Sequence, residues 1–365
     1  MRSTVAEISK SALIHNINII RRHAPDSQLM AMVKANGYGH GMLETAKCIE
    51  PHVDMFGVAV MYEGVTLRLA KITKPIAVMM PPDIYDAEKF CECNLEMVAC
   101  SLDVLNDFHE EARKQGVTLN AHLYIDTGMR RDGIEPHDAV EFMKQAARFT
   151  NINIYGVCTH FATSDDADPS FTHHQFTVFQ ETVNSLAANG FNFTHIHTAN
   201  SGAIMRHPHT HGNLVRAGLA LYGIPPANTS GLGLHPVLTL KTRINAIRRI
   251  HQGETVSYGR RFMASHDTTI VTIPIGYGDG YSRLLTGTAY VLIHGKRYPI
   301  AGTICMDECM IDVGDAPVSL GDDVVLIGKQ GDSEVTATEL AQRIHTIPYE
   351  ITTMITSRVP RIVVE

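Results

Sequence analysis

The feature that most constrains the fold of this 365-residue chain is an alternation of short apolar runs with amphipathic stretches over its first two-thirds. Eight runs rich in apolar and β-branched residues are predicted strands, at 29–33, 55–61, 75–80, 96–100, 119–125, 152–159, 195–198 and 215–222. Stretches with a helical period separate most of them, at 63–71, 83–93, 102–114, 136–149 and 171–189. Eight strand–helix units predict an α/β fold, a closed (β/α)8 barrel of the TIM type.

The pattern of predicted strands and helices changes at the Gly- and Pro-rich stretch 225–236, which is typical of a linker. Beyond it the predicted strands are short and follow one another without long helices, at 237–250, 268–275, 289–293, 298–304, 310–313, 323–327 and 354–364. We therefore expect two domains, a barrel over 1–230 and a C-terminal all-β domain over 231–365. A predicted helix near 9–23 precedes the first barrel strand.

Composition excludes several classes of protein. The net charge of −7 and the lack of long basic runs argue against a nucleic-acid partner. No apolar run approaches the length needed to cross a bilayer, and the first ten residues lack the apolar core of a signal peptide, so we expect a cytoplasmic protein.

Seven scattered cysteines indicate free thiols, and the alternating His207, His209 and His211 indicate a polar surface loop. No metal site is predicted.

Lys34 carries the strongest chemical signal. It ends the first predicted barrel strand, and the chain then breaks into glycines. In a β/α barrel the carboxyl ends of the strands carry the chemistry. A lysine desolvated there loses part of its preference for the charged form, and a neutral amine attacks carbonyl groups. The alternative for this motif alone is a solvated lysine in a strand-to-helix turn.

Other polar segments, at 126–131, 159–161, 197–201 and 216–222, fall at or near predicted strand ends and should face the same barrel mouth. Ser201 opens a predicted helix whose backbone N–H groups would suit a phosphate, and Gly218 permits close backbone approach. A lysine, phosphate-binding backbone, an imidazole and two arginines fit a phosphorylated aldehyde cofactor, pyridoxal 5′-phosphate (PLP). A phosphosugar-binding barrel remains the alternative at this point.

Ten segments, in order and spread along nearly the whole chain, carry a resemblance to a known family. They are 33–41 (VKANGYGHG), 126–131 (DTGMRR), 159–161 (THF), 199–201 (ANS), 215–223 (VRAGLALYG), 256–259 (VSYG), 274–280 (PIGYGDG), 302–307 (GTICMD), 348–350 (PYE) and 358–361 (RVPR). With these segments the chain resembles bacterial alanine racemase, an isomerase that uses PLP and has an N-terminal barrel and a C-terminal β domain. The resemblance implies a cytoplasmic homodimer that makes D-alanine for the peptidoglycan of the cell wall.

The resemblance also implies residue roles. Lys34 would carry the cofactor and serve as one catalytic base, and Tyr258 of the partner subunit would be the second base on the opposite face. The implied cofactor-binding residues are Lys34, Tyr38, His160, Asn200, Ser201, Arg216, Gly218, Leu219 and Tyr349. The implied substrate-binding residues are Arg131, Met306, Tyr277 and Asp307. Met306 would act through its backbone N–H in the active site of the partner subunit, as Tyr258 would, and Tyr277 and Asp307 would lie near the entrance.

These residue types suit the reaction, because a racemase removes a proton from one face of a carbon and returns one on the other. One base on each face achieves this without turning the substrate. Tyrosine has an ordinary pKa of about 10, so Tyr258 needs a nearby positive charge to act as a base, and Arg131 is the candidate. Arg216 against the pyridine nitrogen would stay protonated and give that nitrogen no proton.

The chain departs from the family at two places near Arg131. Many members have a lysine, often carbamylated, where this chain has Tyr124, so a bound anion or a tyrosine hydroxyl would have to orient Arg131. The family's usual Arg-Leu-Gly is here Arg131-Asp132-Gly133, which adds a carboxylate.

Three further interpretations keep the barrel but change the function. The first is a racemase of broad specificity or one for serine or lysine. The second is a PLP-dependent decarboxylase, disfavoured because a Cys-Asp segment of the kind such enzymes carry is absent late in the chain. The third is a PLP carrier without activity, disfavoured because such proteins resemble the barrel alone.

Overall fold

A computed structural model describes residues 2–229 and 231–365. Its strands are β1 (Val5–Ser9), β2 (Gln28–Met32), β3 (Met55–Val58), β4 (Ile76–Val78), β5 (Met97–Ala99), β6 (Leu119–Tyr124), β7 (Ile152–Cys158), β8 (His195–His197), β9 (Leu214–Ala217), β10 (Leu238–Arg243), β11 (Ala246–Ile250), β12 (Thr255–Val256), β13 (Phe262–Met263), β14 (Thr268–Ile273), β15 (Tyr290–Ile293), β16 (Lys296–Pro299), β17 (Cys309–Gly314), β18 (Asp323–Gln330), β19 (Ser333–Val335) and β20 (Arg361–Val364).

The right-handed α-helices are α1 (Lys10–His23), α2 (Met42–Ile49), α3 (Met61–Leu69), α4 (Ala87–Cys93), α5 (Leu102–Gln115), α6 (Ala139–Ala146), α7 (Ser170–Ala188), α8 (Ser201–Arg206), α9 (Ala337–Arg343) and α10 (Pro348–Thr353). Capping explains the bounds of α5, which begins where predicted and ends one residue later, at Gln115. The Ser101 hydroxyl accepts a hydrogen bond from Val104 N at 3.5 Å. The helix stops before Gly116, which has a left-handed φ of +68° that glycine adopts readily because it lacks a Cβ.

The chain divides into two compact units. The barrel unit comprises Leu13–Gly37 and Ala46–Leu234, and the β unit comprises the segment up to Ala12, Tyr38–Thr45 and His235–Glu365. This differs from the predicted continuous domains 1–230 and 231–365, and the predicted boundary adjoins Ser230, which lies outside the described residues. The difference at the amino end has a clear cause, because β1 pairs with β10 and β20 and so belongs with distant strands.

Eight parallel strands, β2 to β9, form the barrel unit's sheet, as the sequence predicted. They pair in the orders β4-β3-β2-β9 and β5-β6-β7-β8. Val78 N donates to Glu96 O at 2.9 Å and joins β4 to β5, while Arg216 N donates to Ala199 O at 2.9 Å and joins β9 to the end of β8, which closes the ring. Their residues are mostly buried, as is typical of parallel strands covered on both faces.

In the β unit, one sheet has the order β16-β15-β18-β10-β1-β20, with β19 paired to β18. A second sheet has the order β11-β14-β17, and β12 and β13 form a short hairpin. The predicted strand at 354–364 is wrong over its first part, because Met354 ends α10 and only Arg361–Val364 is extended. No helix within 2–229 or 231–365 is long and apolar enough to cross a membrane.

Candidate active site

Lys34 lies two residues after β2, at the carboxyl end of a barrel strand as predicted. The chain then turns with left-handed backbone angles, with φ of 51° at Ala35, 53° at Asn36 and 62° at Gly37, and Gly37 N donates to Val33 O at 2.8 Å. Such angles cost an L-residue roughly 1–2 kcal/mol each, so contacts elsewhere must hold the turn. Backbone strain of this kind clusters at functional sites.

Glu63, in the first turn of α3, provides such contacts. Its Oε1 accepts a hydrogen bond from Ala35 N at 2.7 Å, and its Oε2 accepts one from Ala59 N at 2.8 Å. The residue is 5% exposed. Burial lowers the pKa of the Lys34 amine, the charge of Arg131 lowers it further, and Glu63 acts in the opposite direction. Lys34 therefore has an increased share of the neutral, nucleophilic form.

Arg216, on β9, is buried and makes five hydrogen bonds with its two terminal nitrogens. Nη1 donates to Nδ1 and to the carbonyl oxygen of His197, both at 2.9 Å. Nη2 donates to Thr159 O at 2.8 Å, to Thr198 O at 2.9 Å and to His160 Nδ1 at 3.3 Å. Among the described residues no acceptor takes the Nε–H, which leaves one fixed donor for a ligand.

A buried chain of hydrogen bonds extends from Arg216 to Glu96. His197 Nε2 lies 3.0 Å from His122 Nδ1, and His122 Nε2 lies 2.9 Å from Glu96 Oε2. Arginine can only donate, so His197 Nδ1 accepts and its Nε2 carries hydrogen; the same reasoning makes His122 Nε2 the donor to the carboxylate. Tyr155 also donates to Glu96 at 2.8 Å. The chain of bonds thus fixes both tautomers and the guanidinium plane.

His160 follows β7 and faces the same positive groups. Burial, followed by the charges of Arg216, Arg131 and Lys34, lowers the pKa of His160 to about 3. The imidazole is therefore neutral at pH 7, and its Nδ1 is free to accept the hydrogen bond from Arg216. The arrangement concentrates positive charge at the carboxyl ends of the strands, as an anionic ligand would require.

Arg131 lies in the loop after β6, as predicted, and its Nε donates to Asp132 Oδ2 at 3.0 Å. Burial lowers the pKa of Arg131, but the neighbouring Tyr124 hydroxyl and Asp132 more than offset this effect, so its pKa is raised. The loop folds back on the strand, because Ile134 N donates to Tyr124 O and Asp126 N donates to Ile134 O, each at 2.9 Å.

Ser201 and Gly218 lie together in the barrel unit. The Ser201 hydroxyl accepts hydrogen bonds from Gly218 N at 3.0 Å and from Ala220 N at 3.3 Å, and Leu219 lies between these two amides. Asn200 caps α8, since its Oδ1 accepts from Ala203 N at 3.1 Å. The structure thus brings together the barrel residues predicted to bind the cofactor.

The remaining predicted residues lie in the β unit. The rings of Tyr38 and Tyr349 lie 6.0 Å apart, and burial raises the pKa of Tyr38. Tyr258 lies on the turn between β12 and β13, where the preceding Ser257 has a φ of 66°, and it is 71% exposed. Tyr277 lies in the turn Tyr277–Asp279. Met306 and Asp307 lie in the segment whose backbone accepts hydrogen bonds from this turn.

The sequence reasoning missed Glu63, Glu96 and His122. Glu96 and His122 had one signal, since each is a polar residue within a predicted strand of mostly apolar residues. All seven cysteines are free thiols, as predicted. In the part of the chain that the structure describes, no group of three or more His, Cys, Asp or Glu side chains is arranged to hold a metal ion.

Comparisons with known proteins agree with this geometry. The family profile "Alanine racemase, N-terminal domain" matches residues 8–226, and "Alanine racemase, C-terminal domain" matches residues 237–363. The alanine racemase of Symbiobacterium thermophilum is 40% identical over 365 residues, which cover 99% of this chain and 97% of that protein.

Solved structures extend the comparison to the fold. The crystal structure of alanine racemase from D-cycloserine-producing Streptomyces lavendulae is similar with a TM-score of 0.95 at 33% identity, and covers 100% of this chain and 98% of its own. The histidine racemase of Leuconostoc mesenteroides subsp. sake is similar with a TM-score of 0.94 at 30% identity, with the same coverage. With both family profiles matched over nearly its whole length, the chain belongs to the alanine racemase family.

Proposed function

We propose that this protein is a PLP-dependent alanine racemase that interconverts L-alanine and D-alanine and thereby supplies D-alanine for peptidoglycan. The observation that carries the proposal is Lys34, an amine of lowered pKa at the end of a barrel strand, among Arg131, Arg216 and the neutral His160. Family membership supports alanine as the substrate.

The residues present fit the cofactor. The site is rich in positive charge and suits a phosphate and a carboxylate, and the Arg216 Nε–H is a donor without a protein partner among the described residues. By the resemblance to the family, the residues that would hold PLP are Lys34, Tyr38, His160, Asn200, Ser201, Arg216, Gly218, Leu219 and Tyr349. When bound, PLP supplies an aldehyde that captures the substrate amine and a ring that withdraws electrons from its α-carbon.

Lys34 and Tyr258 would move the protons. Burial and the neighbouring arginines favour the neutral Lys34 amine, so it accepts the α-proton on one face and returns it in the reverse direction. Tyr258, supplied by the partner subunit, performs the matching transfer at the opposite face. Arg216 would bond the ring nitrogen and remain a donor, since a guanidinium does not give up its proton readily.

Arg131 and the backbone N–H of the partner subunit's Met306 would bind the substrate carboxylate, and Tyr277 and Asp307 would flank the entrance. Asp132 holds the Arg131 side chain, and the neighbouring Tyr124 hydroxyl would help to orient it in place of the lysine found in many relatives. Binding in this way orients the α-carbon between the two bases and acts on both enantiomers alike.

A homodimer follows from the role given to Tyr258. Tyr258 and Met306, the two residues assigned to the partner's site, are 71% and 53% exposed, so both can contact a second subunit. A two-fold interface would present each Tyr258 to the other subunit. The cytoplasmic location stays a prediction from the sequence. Sedimentation of the active enzyme tests the assembly: a fully active monomer would contradict it.

Racemase activity is tested directly by incubating the purified protein with PLP and L-alanine and measuring D-alanine with a stereospecific oxidase. We expect D-alanine to accumulate until the enantiomers are equal. A panel of other L-amino acids tests the substrate, because a histidine racemase shares this fold at 30% identity. A preference for serine, lysine, histidine or another residue over alanine would overturn the assignment.

A further inference from the structure

Asp279 is a fully buried carboxylate in the β unit, in the turn Tyr277–Asp279 that carries Tyr277. The residue is 1% exposed. Arg2 donates to both of its oxygens, from Nη1 to Oδ1 at 2.6 Å and from Nη2 to Oδ2 at 2.7 Å. Arg2 also donates to Pro274 O at 3.0 Å and to Arg358 O at 3.2 Å. Two parallel bonds to one carboxylate fix its orientation more firmly than a single ion pair.

A second arginine extends this contact toward the proposed substrate segment. Arg358 Nε lies 3.3 Å from Asp279 Oδ1, and Arg358 Nη2 donates to Asp307 Oδ1 at 2.6 Å. The charges therefore alternate in the order Arg2, Asp279, Arg358, Asp307. We call these four residues the clamp. Its last member is the chain neighbour of Met306, to which we assign a contact with the substrate carboxylate.

The turn held by Asp279 lies directly on the backbone of Cys305 and Met306. Tyr277 N donates to Cys305 O at 3.0 Å, and Gly278 N donates to Met306 O at 2.8 Å. A Cβ on Gly276 would lie 2.2 Å from Cys305 O and 2.5 Å from Met306 O, so only glycine permits this approach. Asp279 Oδ2 in turn accepts from Gly276 N at 3.1 Å. A shift of Asp279 would therefore move the Met306 peptide.

We propose that Arg2 is a positioning residue for substrate binding, because it locks Asp279 and, through the clamp, the segment that carries Tyr277, Met306 and Asp307. The inference rests on the proposed function, which assigns the carboxylate contact to Met306. Arg2 itself touches neither substrate nor cofactor in this account. It acts by fixing the position of the Met306 backbone, whose N–H we assign to the substrate carboxylate.

The test compares Arg2→Ala and Arg2→Lys with the matched control Arg21→Ala. Arg21 also pairs with an aspartate, since its Nη2 lies 3.1 Å from Asp54, but it lies in the barrel unit on the surface. The first measurement is hydrogen exchange in the protein without PLP, on peptides covering 275–281 and 303–309. We expect faster exchange in both peptides for Arg2→Ala and no change for Arg21→Ala.

The second measurement is steady-state kinetics with PLP and each enantiomer of alanine. A bond to a charged group contributes enough that its partial loss should raise KM about five- to twenty-fold for Arg2→Ala, with kcat within about twofold. Arg2→Lys keeps the charge but not the two parallel bonds to Asp279, so its KM should lie between those of the wild type and Arg2→Ala. The Kd for PLP should not change, which separates positioning from a general loss of structure.

Faster exchange with an unchanged KM would overturn the proposal, and so would unchanged exchange. If Arg2→Ala does not fold, Arg358→Gln replaces it, because Arg358 is exposed and its loss cuts the link between Asp279 and Asp307; an unchanged KM there overturns the proposal equally. A wild-type protein without racemase activity would overturn the proposed function instead, while the exchange measurement, which needs no substrate, still reports whether Arg2 holds the Met306 segment.

Discussion

Replacement of Glu63 by Gln tests what holds the Lys34 turn. The carboxylate accepts charge-assisted hydrogen bonds from Ala35 N and Ala59 N at 2.7 and 2.8 Å, in a buried position. Glutamine has one acceptor oxygen, so one backbone N–H would face the amide NH2 group and lose its partner. Loss of one bond to a charged group costs roughly 1.5–3 kcal/mol. The left-handed turn at Ala35 and Asn36 loses that support.

Thermal unfolding without PLP should therefore give an apparent Tm lower by about 5 °C in Glu63→Gln. The Kd for PLP should rise about ten-fold or more if the lost contact also lets Lys34 move. Glu110→Gln is the matched control, because that exposed glutamate pairs with Arg113 on the surface, and neither quantity should change. An unchanged Tm and an unchanged Kd in Glu63→Gln would refute the reasoning that this carboxylate holds the turn.

Three further predictions follow from the other barrel residues. Tyr124→Phe removes only the hydroxyl that neighbours Arg131, so KM for alanine should rise about five- to twenty-fold with little change in kcat. Equal KM values would exclude a role for the hydroxyl. The pKa of His160 is lowered to about 3, so the unfolded state binds more protons as pH falls below 6.5, and this costs on the order of 1–2 kcal/mol of stability at pH 5. The free energy of unfolding, measured with urea at pH 7 and pH 5, should fall less between these pH values in His160→Gln than in the wild type. An identical fall in the two proteins would contradict the lowered pKa of His160. Glu96→Gln removes the charged acceptor of His122, so kcat should fall about ten-fold and the 15N shifts of the histidine ring nitrogens should change; unaltered shifts would show that Glu96 does not set the tautomers.

The barrel could be predicted because its strands are covered on both faces, which turns each into a continuous apolar run. The predicted strand at 29–33 overlaps β2 (Gln28–Met32) in all but its end, and the predicted helix near 9–23 is α1. The β unit was harder to predict, since its strands are short and pair over long distances. Nothing local to Val5–Ser9 indicates that it pairs with β10.

The position of Lys34 could be predicted from the local sequence pattern alone. The contacts that hold its turn and orient the neighbouring side chains could not. Glu63 reaches the turn from α3, which follows β3. The bonds among Glu96, His122 and His197 join different strands of the barrel, so none of these contacts has a fixed spacing in the sequence. The left-handed angles of Ala35 and Tyr38 contradict the preferences of those residue types, and only the surrounding contacts impose them.

Reductive trapping identifies the amine that bonds to PLP. The purified protein is incubated with PLP, reduced with sodium borohydride and digested, and the peptides are mapped by mass spectrometry. We predict one pyridoxyl group for each chain, on Lys34, and none in Lys34→Ala. A group on another lysine, or no modified peptide at all, would contradict the account.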